Sequence, residues 1–339
     1  MKYRINDIKY LDAEQRFIEE FEKEWNLILF QLKCQQPQLL IGNRLRPKIA
    51  FWGYVSGKSY TELDSLSYSN IAQISVSIEL LHKASLLFDD WLDNDFARHG
   101  EKTFHVEYGE YYTVVFALHL VGLATWRIKK IVMDNFNDFS MYHTCILKIL
   151  DIVYNMSLGA LQELQLKPDE LYDSTKIKTI AQLETAEIIE NSLQIGYIFS
   201  QSNDENVLAI LKVIGSQCGY LFQTLNDLEA FSNMIKNIKH KGHANFDIDN
   251  NRKNIVVTML WEIVSLKERK KIIHSSGEEI MHIAEKNHLK SFVLRDMETV
   301  FDNMILNIHS LSKYNICDEW INSFTDFLYQ IRKVAYQRL

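Results

Sequence analysis

The chain has 339 residues, 47% of them apolar and 24% charged, which is enough for a large buried core and leaves no compositional sign of disorder. Its 37 basic and 44 acidic residues give a net charge of −7 without a basic block or Lys/Arg-aromatic interleaving, so nucleic acid is not an expected partner. Cys34, Cys145, Cys218 and Cys317 stand far apart, with no CxxC or Cys/His cluster, which points to buried thiols in a reducing compartment rather than to a disulfide framework or a zinc site.

In chain order, the start MKYRINDIKYLDAEQ is charged and has no apolar leader core. A break at QPQLLIGNRLRP precedes IELLHKASLLF, which reads as part of a helix from Ile78 to Asp93. HGEKTF is a second break. The longest apolar run, Val114 to Thr125, is too short to cross a bilayer, so no integral membrane segment is expected. The expected compartment is the cytoplasm, with an apolar substrate able to bring the protein to a membrane surface. HTCILKILDIVYNMSLGALQELQL, KIKTIAQLETAEIIENSLQIGYIF and NVLAILKVIGSQCGYLFQTLNDLEAF are apolar on more than one face, as helices inside a bundle are. Breaks at LKPDELYDST and NIKHKGHANFDIDNN separate them, and only 3 prolines occur in the whole chain. These features predict an all-α fold, a single large helical domain over residues 1–339, without internal repeats.

The segment LLFDDWLDNDF (Leu86 to Phe96) sets Asp89, Asp90, Asp93 and Asp95 among bulky apolar residues. On a helix Asp89 and Asp93 lie one turn apart on one face, where like charges repel. A cation between them removes the conflict. An EF-hand is excluded, because the sixth loop position is Arg98 counted from Asp93, and Arg252 counted from Asp247, where glycine is required. Carboxylates on a rigid helix suit magnesium, which completes its shell with water and phosphate oxygens. A phosphorylated substrate then needs cations, and Arg98, His99 and Lys102 follow directly.

The run Glu79 to Glu110 resembles the first aspartate-rich region, DDxxD followed by RRG, of the trans-isoprenyl diphosphate synthase (polyprenyl synthetase) family. IGNRLRP (Ile41 to Pro47) is similar to its GGKRLRP, Lys178 and Thr179 to its KT pair, LFQTLNDLEAF (Leu221 to Phe231) to its FQxxDDxxD, and FDIDNNRKN (Phe246 to Asn254) to its late D…GKxT segment. The last eighty residues carry no usable motif. The resemblance implies a helical bundle of the isoprenoid synthase type around a central apolar tunnel, and homodimerisation. It further implies Mg2+ held by Asp89 and Asp93, an allylic prenyl diphosphate bound by Arg98, Lys178 and Lys241 or Arg252, and a cation steadied by Thr179 and Gln223. His82 matches a position that helps hold the second substrate.

The departures are concentrated. The lysine of GGKRLRP is Asn43 and the second arginine of RRG is His99, while Arg46 remains, so two cations are missing from the pocket for a second diphosphate. The second acidic motif is degraded to Asn226, Asp227, Leu228, Glu229, Ala230, leaving Asn226 and Asp227 as its candidate metal ligands; Ala230 and Met234 exclude the Asn-Ser-Glu triad of many terpene cyclases. The donor half, Asp89, Asp90, Asp93, Arg98, Lys178, Thr179 and Gln223, is intact. That pattern is similar to the ComQ-type peptide-pheromone prenyltransferase branch, and the leading expectation is transfer of the prenyl group to a non-diphosphate acceptor, a tryptophan of a precursor peptide. A chain-elongating synthase, a class I terpene cyclase and a non-catalytic subunit are the alternatives. Ser85 and Ala84, small residues four and five before Asp89, leave room for a fifteen-carbon or longer donor.

Overall fold

The computed structural model describes residues 5–33, 39, 42–98, 100–135, 139–167, 170, 172–229, 231, 254–273 and 275–337. His99, Lys241 and Arg252, expected to bind substrate, lie outside the described residues.

The described helices are α1 (Ile5–Leu32), α2 (Leu45–Ser56), α3 (Ser69–Leu92), α4 (Phe104–Tyr108), α5 (Glu110–Asn135) and α6 (Phe139–Leu164). They continue with α7 (Ser174–Ala181), a π-helical turn (Gln182–Ala186), α8 (Glu187–Phe199), α9 (Glu205–Glu229), α10 (Ile255–Ile263) and α11 (Leu266–Ile272). The last are α12 (Gly277–Lys286), α13 (Leu289–Ser310), a 3-10 turn (Leu311–Tyr314) and α14 (Asp318–Tyr336). Among the described residues the sheet is one two-residue ribbon, β1 (Ala97–Arg98) with β2 (Glu101–Lys102), antiparallel and in register Ala97↔Lys102 and Arg98↔Glu101. The all-α expectation therefore holds. Within HGEKTF, expected as a plain break, Glu101–Lys102 form the second strand of this ribbon, and Gly100 before them has φ 83°, a conformation that favours glycine.

Local chemistry sets several boundaries. Asp173 caps α7 by accepting from the amides of Thr175 and Lys176, and Asn254 caps α10 through Val256 and Val257. Ser265 with Glu268 and Ser276 with Glu279 form capping boxes at α11 and α12.

Helix α8 is buried along its whole length and packs on α2, α3, α6 and α9. It meets α2 at backbone contact through a glycine from each side: a Cβ on Gly53 would sit 2.0 Å from Leu193 O, and one on Gly196 2.0 Å from Ala50 O. The expected single helix from Lys176 to Phe199 is instead interrupted by the π turn, where one extra residue is inserted between Lys178-Thr179 and the buried α8. The apolar core forms one large cluster over α1–α6, α8, α9 and the C-terminal helices, and a smaller one around Ile177, Leu228, Val256, Leu260 and Val293; Leu221 packs against both.

The expectation that no segment has the length and apolarity to cross a bilayer needs correcting. Ser69–Leu92, Glu110–Asp134 and His143–Leu164 all do by length and composition, because an averaged apolarity tolerates the Ser, Thr, His and Tyr that interrupt each apolar run. The most apolar window of the first is 72% buried in the fold; those of the other two are 33% and 22% buried.

Candidate active site

The C-terminus of α3 carries the acids. Its last turn is closed by Asp93 N–H donating to Asp89 O, after which Asn94 adopts a left-handed conformation, φ 54°, and the chain reverses so that Asp95 N–H donates back to Asp90 O. This reversal feeds the ribbon and lays Arg98 over the helix end. Arg98 donates from Nη2 and Nε to Asp90 Oδ1, at 2.6 and 2.7 Å, and from Nη2 to Asp89 Oδ2 at 3.2 Å. Asp90 is 1% exposed, and burial, helped by Asp89 and Asp95, pushes its carboxyl up to about 6 against the pull of Arg98. Asp89 and Asp93 instead stay accessible, the Asp89 side chain 56% exposed. Two oxygen-donor groups one turn apart at a helix end, open to solvent, fit a hard divalent ion such as magnesium. Asp90 serves as the anchor of Arg98.

A second group of predicted residues lies on α7 and α9. Gln223 accepts from Thr185 Oγ1 through its Oε1 and donates from Nε2 to Asp227 Oδ1, both at 2.8 Å. Asp227 is buried, and its other oxygen accepts the amide of Ile255 at 2.6 Å, the first residue of α10. Each of its carboxylate oxygens thus accepts one hydrogen bond and keeps a further lone pair, and the group ties α9 to the start of α10. Asn226 is exposed and lines a cavity of about 1540 Å³ with Asn43, Arg46, Thr185 and Phe222, and α14 also contributes to its lining. Thr179 donates its hydroxyl to Thr175 O in its own helix, and Lys178 Nζ stands 5.9 Å from the Tyr220 ring; both are exposed. No described contact joins them to the acids.

Between these groups lie the residues of the second-substrate motif. Asn43 Oδ1 accepts the amide of Leu45, helping to start α2. Arg46 is part-buried, its Nε wholly buried without a hydrogen-bond partner, and burial lowers the guanidinium below its ordinary range. His82 is driven well down by burial and by the charges of Arg46, Lys83 and Arg98, so the ring is neutral. Arg46, His82, Arg98, Asp90 and Asp89 thus form one electrostatic neighbourhood.

Lys83, inside the run Glu79 to Glu110 but given no role there, is buried beside them. Its Nζ is 3.8 Å from Glu79 Oε1, which also accepts from Arg44 Nη1 at 3.4 Å. Burial lowers Lys83 to about 8, with Glu79 opposing and the three arginines adding to the shift. Sequence reasoning overlooked it and Thr185. The available signal for Lys83 was a lysine one turn after a glutamate in an otherwise apolar helix. Ala84 is 1% exposed within the main core, whereas Ser85 is partly accessible and donates to His82 O.

The polyprenyl synthetase family profile matches residues 34–292, most of the chain. The chain belongs to the polyprenyl synthetase family. It is 27% identical over 208 residues to the farnesyl diphosphate synthase of Buchnera aphidicola subsp. Schizaphis graminum, covering 59% of this chain and 66% of that one. It is 26% identical over 276 residues to the geranylgeranyl diphosphate synthase of Sulfolobus acidocaldarius, covering 76% and 79%. Among solved structures, a T. brucei farnesyl diphosphate synthase complexed with bisphosphonate superposes with a TM-score of 0.75 at 16% identity, covering 96% and 99% of the two chains. A geranylgeranyl pyrophosphate synthase from Corynebacterium glutamicum, complexed with isoprenyl diphosphate and magnesium, does so at 0.71 and 16%, covering 99% of each. These likenesses establish the fold.

Proposed function

We propose that this polyprenyl synthetase family member is a magnesium-dependent prenyltransferase, folded as a single domain, that ionises an allylic prenyl diphosphate and joins the prenyl group to an acceptor that itself carries a diphosphate. The observation that carries the acceptor half is Arg46: a cation with a buried, unpartnered Nε on the wall of a cavity is costly unless an anion completes it. The names of the relatives, farnesyl and geranylgeranyl diphosphate synthases, support the same choice.

In this reading Asp89 and Asp93 hold magnesium, with Asn226 as a further candidate ligand. Magnesium neutralises the charge that builds on the departing diphosphate. Arg98, fixed by Asp90, presents its guanidinium where that charge grows. Lys178, with Lys241 or Arg252, adds to the cationic rim. Thr179 and the Gln223 amide, the latter held by Thr185 and Asp227, offer dipoles to the allylic cation. The C1–O bond breaks with its electron pair on the diphosphate, the acceptor alkene bonds to C1, and a proton leaves the acceptor carbon. A fifteen-carbon or longer donor fits the small side chain of Ser85.

A second reading, transfer to a peptide tryptophan in the manner of the ComQ-type branch, is favoured by Asn43, whose oxygen serves the α2 start and which brings no charge to the pocket. An indole carbon needs no anion site.

The chain is also proposed to pair with a second copy. Its α5 and α6 present Tyr111, 91% exposed, Trp126, 61% exposed, and Leu118, Leu150, Tyr154 and Leu161 to solvent, and exposed apolar faces mark association surfaces. Light scattering should give a dimer mass, and Tyr154→Glu with Leu118→Glu a monomer; a monomeric wild type that floats with lipid vesicles would assign the face to a membrane instead. The cytoplasm is the compartment this reading implies.

The test of the donor half is diphosphate release from farnesyl diphosphate. It should require magnesium and fall by more than 100-fold in Asp89→Ala and Asp93→Ala; release that is indifferent to metal and to both variants would overturn it.

A further inference from the structure

We propose that the outer face of helix α11 docks the protein on an anionic lipid surface, whichever acceptor the enzyme uses. The chain is acidic overall, with a net charge of −7, yet α11 exposes Lys267, Lys270 and Lys271 together. Leu266 beside them is 76% exposed and Ile273, the C-cap, 44%. At about 3.6 residues per turn, Leu266, Lys270 and Ile273 share one stripe of the helix, and Lys267 and Lys271 flank it on one side. The opposite side holds the helix in place: Ile272 is fully buried in the smaller core cluster, and Arg269 donates to Trp261 O at 2.8 Å and to Glu262 O at 3.3 Å.

The charge of this face is not cancelled locally. Glu268 closes the capping box at Ser265 and takes the Lys286 ammonium at 2.6 Å, and Glu279 closes the box at Ser276. Glu262 and Glu278, both exposed, sit on the neighbouring helices α10 and α12. Among the described residues Lys267, Lys270 and Lys271 make no ion pair. Lysines on flexible stems suit a layer of anionic headgroups, and two aliphatic side chains set among them gain by leaving water for the acyl boundary. Nucleic acid would use the lysines but leave Leu266 and Ile273 in water, and α11 has no aromatic ring on which a base could stack. The place also suits the chemistry. Helix α10 starts at Ile255, whose amide is held by Asp227, and its nine residues span about 14 Å before the chain turns into α11. The docking face therefore lies one short helix from the candidate site, and an amphiphilic prenyl diphosphate is met at the layer that holds it.

The experiment floats the full chain with vesicles of phosphatidylcholine, with and without phosphatidylserine, in the absence of magnesium and prenyl diphosphates, so that its outcome is independent of the reaction. Anionic vesicles should recover at least fivefold more protein than neutral ones, and high salt should remove the excess. Combining Lys267→Glu, Lys270→Glu and Lys271→Glu should lower that recovery at least tenfold while leaving magnesium-dependent diphosphate release from farnesyl diphosphate within twofold. Leu266→Ser with Ile273→Ser, which keeps every charge, should lower it at least threefold. Leu118→Glu with Tyr154→Glu, on the apolar face of α5 and α6, should leave it unchanged. Equal recovery with neutral vesicles, recovery that survives the triple variant, or retention of a DNA duplex without vesicle binding overturns the proposal. A protein inactive on farnesyl diphosphate would sink the donor reading and leave the vesicle result to decide this one.

Discussion

Arg98 closes over the C-terminus of α3 with two of its nitrogens, Nη2 and Nε, on a single oxygen of Asp90, 2.6 and 2.7 Å away, while the solvent-exposed Asp89 receives only the longer contact from Nη2 at 3.2 Å. The two adjacent aspartates therefore have different jobs. Asp90 holds the arginine from below, and Asp89 remains available above.

That division predicts a separable pair of effects. Arg98→Ala leaves the buried Asp90 carboxyl without its partner, and should lower stability by about 3 kcal/mol. Adding Asp90→Asn should recover most of that loss in a urea melt without recovering donor turnover. Recovery of turnover as well would mean that Arg98 acts only through stability.

Asp227 should behave as a structural carboxylate. Removing it in Asp227→Ala frees the Ile255 amide and the Gln223 side chain, and a cost of about 2–3 kcal/mol is expected for hydrogen bonds to a buried charge. Asn226→Ala, at an exposed position, should leave the melting temperature unchanged and alter the magnesium requirement. Equal melting temperatures for the two variants would contradict the anchoring role.

Glu190 on α8 gives the pH dependence. It is 1% exposed, and burial, with Glu187 adding to the effect and Lys212 and Gln182 opposing, pushes its carboxyl from 4.5 up to about 7. A carboxyl raised on folding resists ionisation, so its cost is absent below about pH 4.5, grows as pH rises toward 7 and is complete above it, at most about 3 kcal/mol. Glu190→Gln should thus match the wild type near pH 4.5, exceed it in stability at pH 8, and show a flatter profile between. Parallel profiles from chemical denaturation would refute this.

Donor length is best probed at Ser85. Ala84→Phe forces a ring into the packed core and should cost about 1–3 kcal/mol before selectivity is tested. Ser85→Phe, at a partly accessible position, should shift preference from fifteen-carbon toward ten-carbon donors in competition assays; unchanged selectivity would place the chain elsewhere.

Much of this was legible in the residues. DDWLD on an apolar helix announced a charged helix end, and the periodicity of the buried segments announced a bundle, because burial on several faces leaves a strong pattern. What escaped depends on three-dimensional pairing. The π turn at Gln182–Ala186 changes hydrogen-bond register without changing composition. The tie between Asp227 and the amide of Ile255, 28 residues later, is invisible until the fold brings them together. Lys83 looks like a helix-surface lysine until the fold buries it beside Glu79 and Gly42, and the exposed apolar faces of α5 and α6 are indistinguishable in sequence from buried ones.

The most direct measurement is incorporation of labelled isopentenyl diphosphate by the purified protein with magnesium and farnesyl diphosphate. Label in elongated prenyl diphosphates, abolished by Asp89→Ala, is the predicted result. Magnesium-dependent consumption of farnesyl diphosphate with no label incorporated would contradict the account, and would pass the acceptor site to the tryptophan reading.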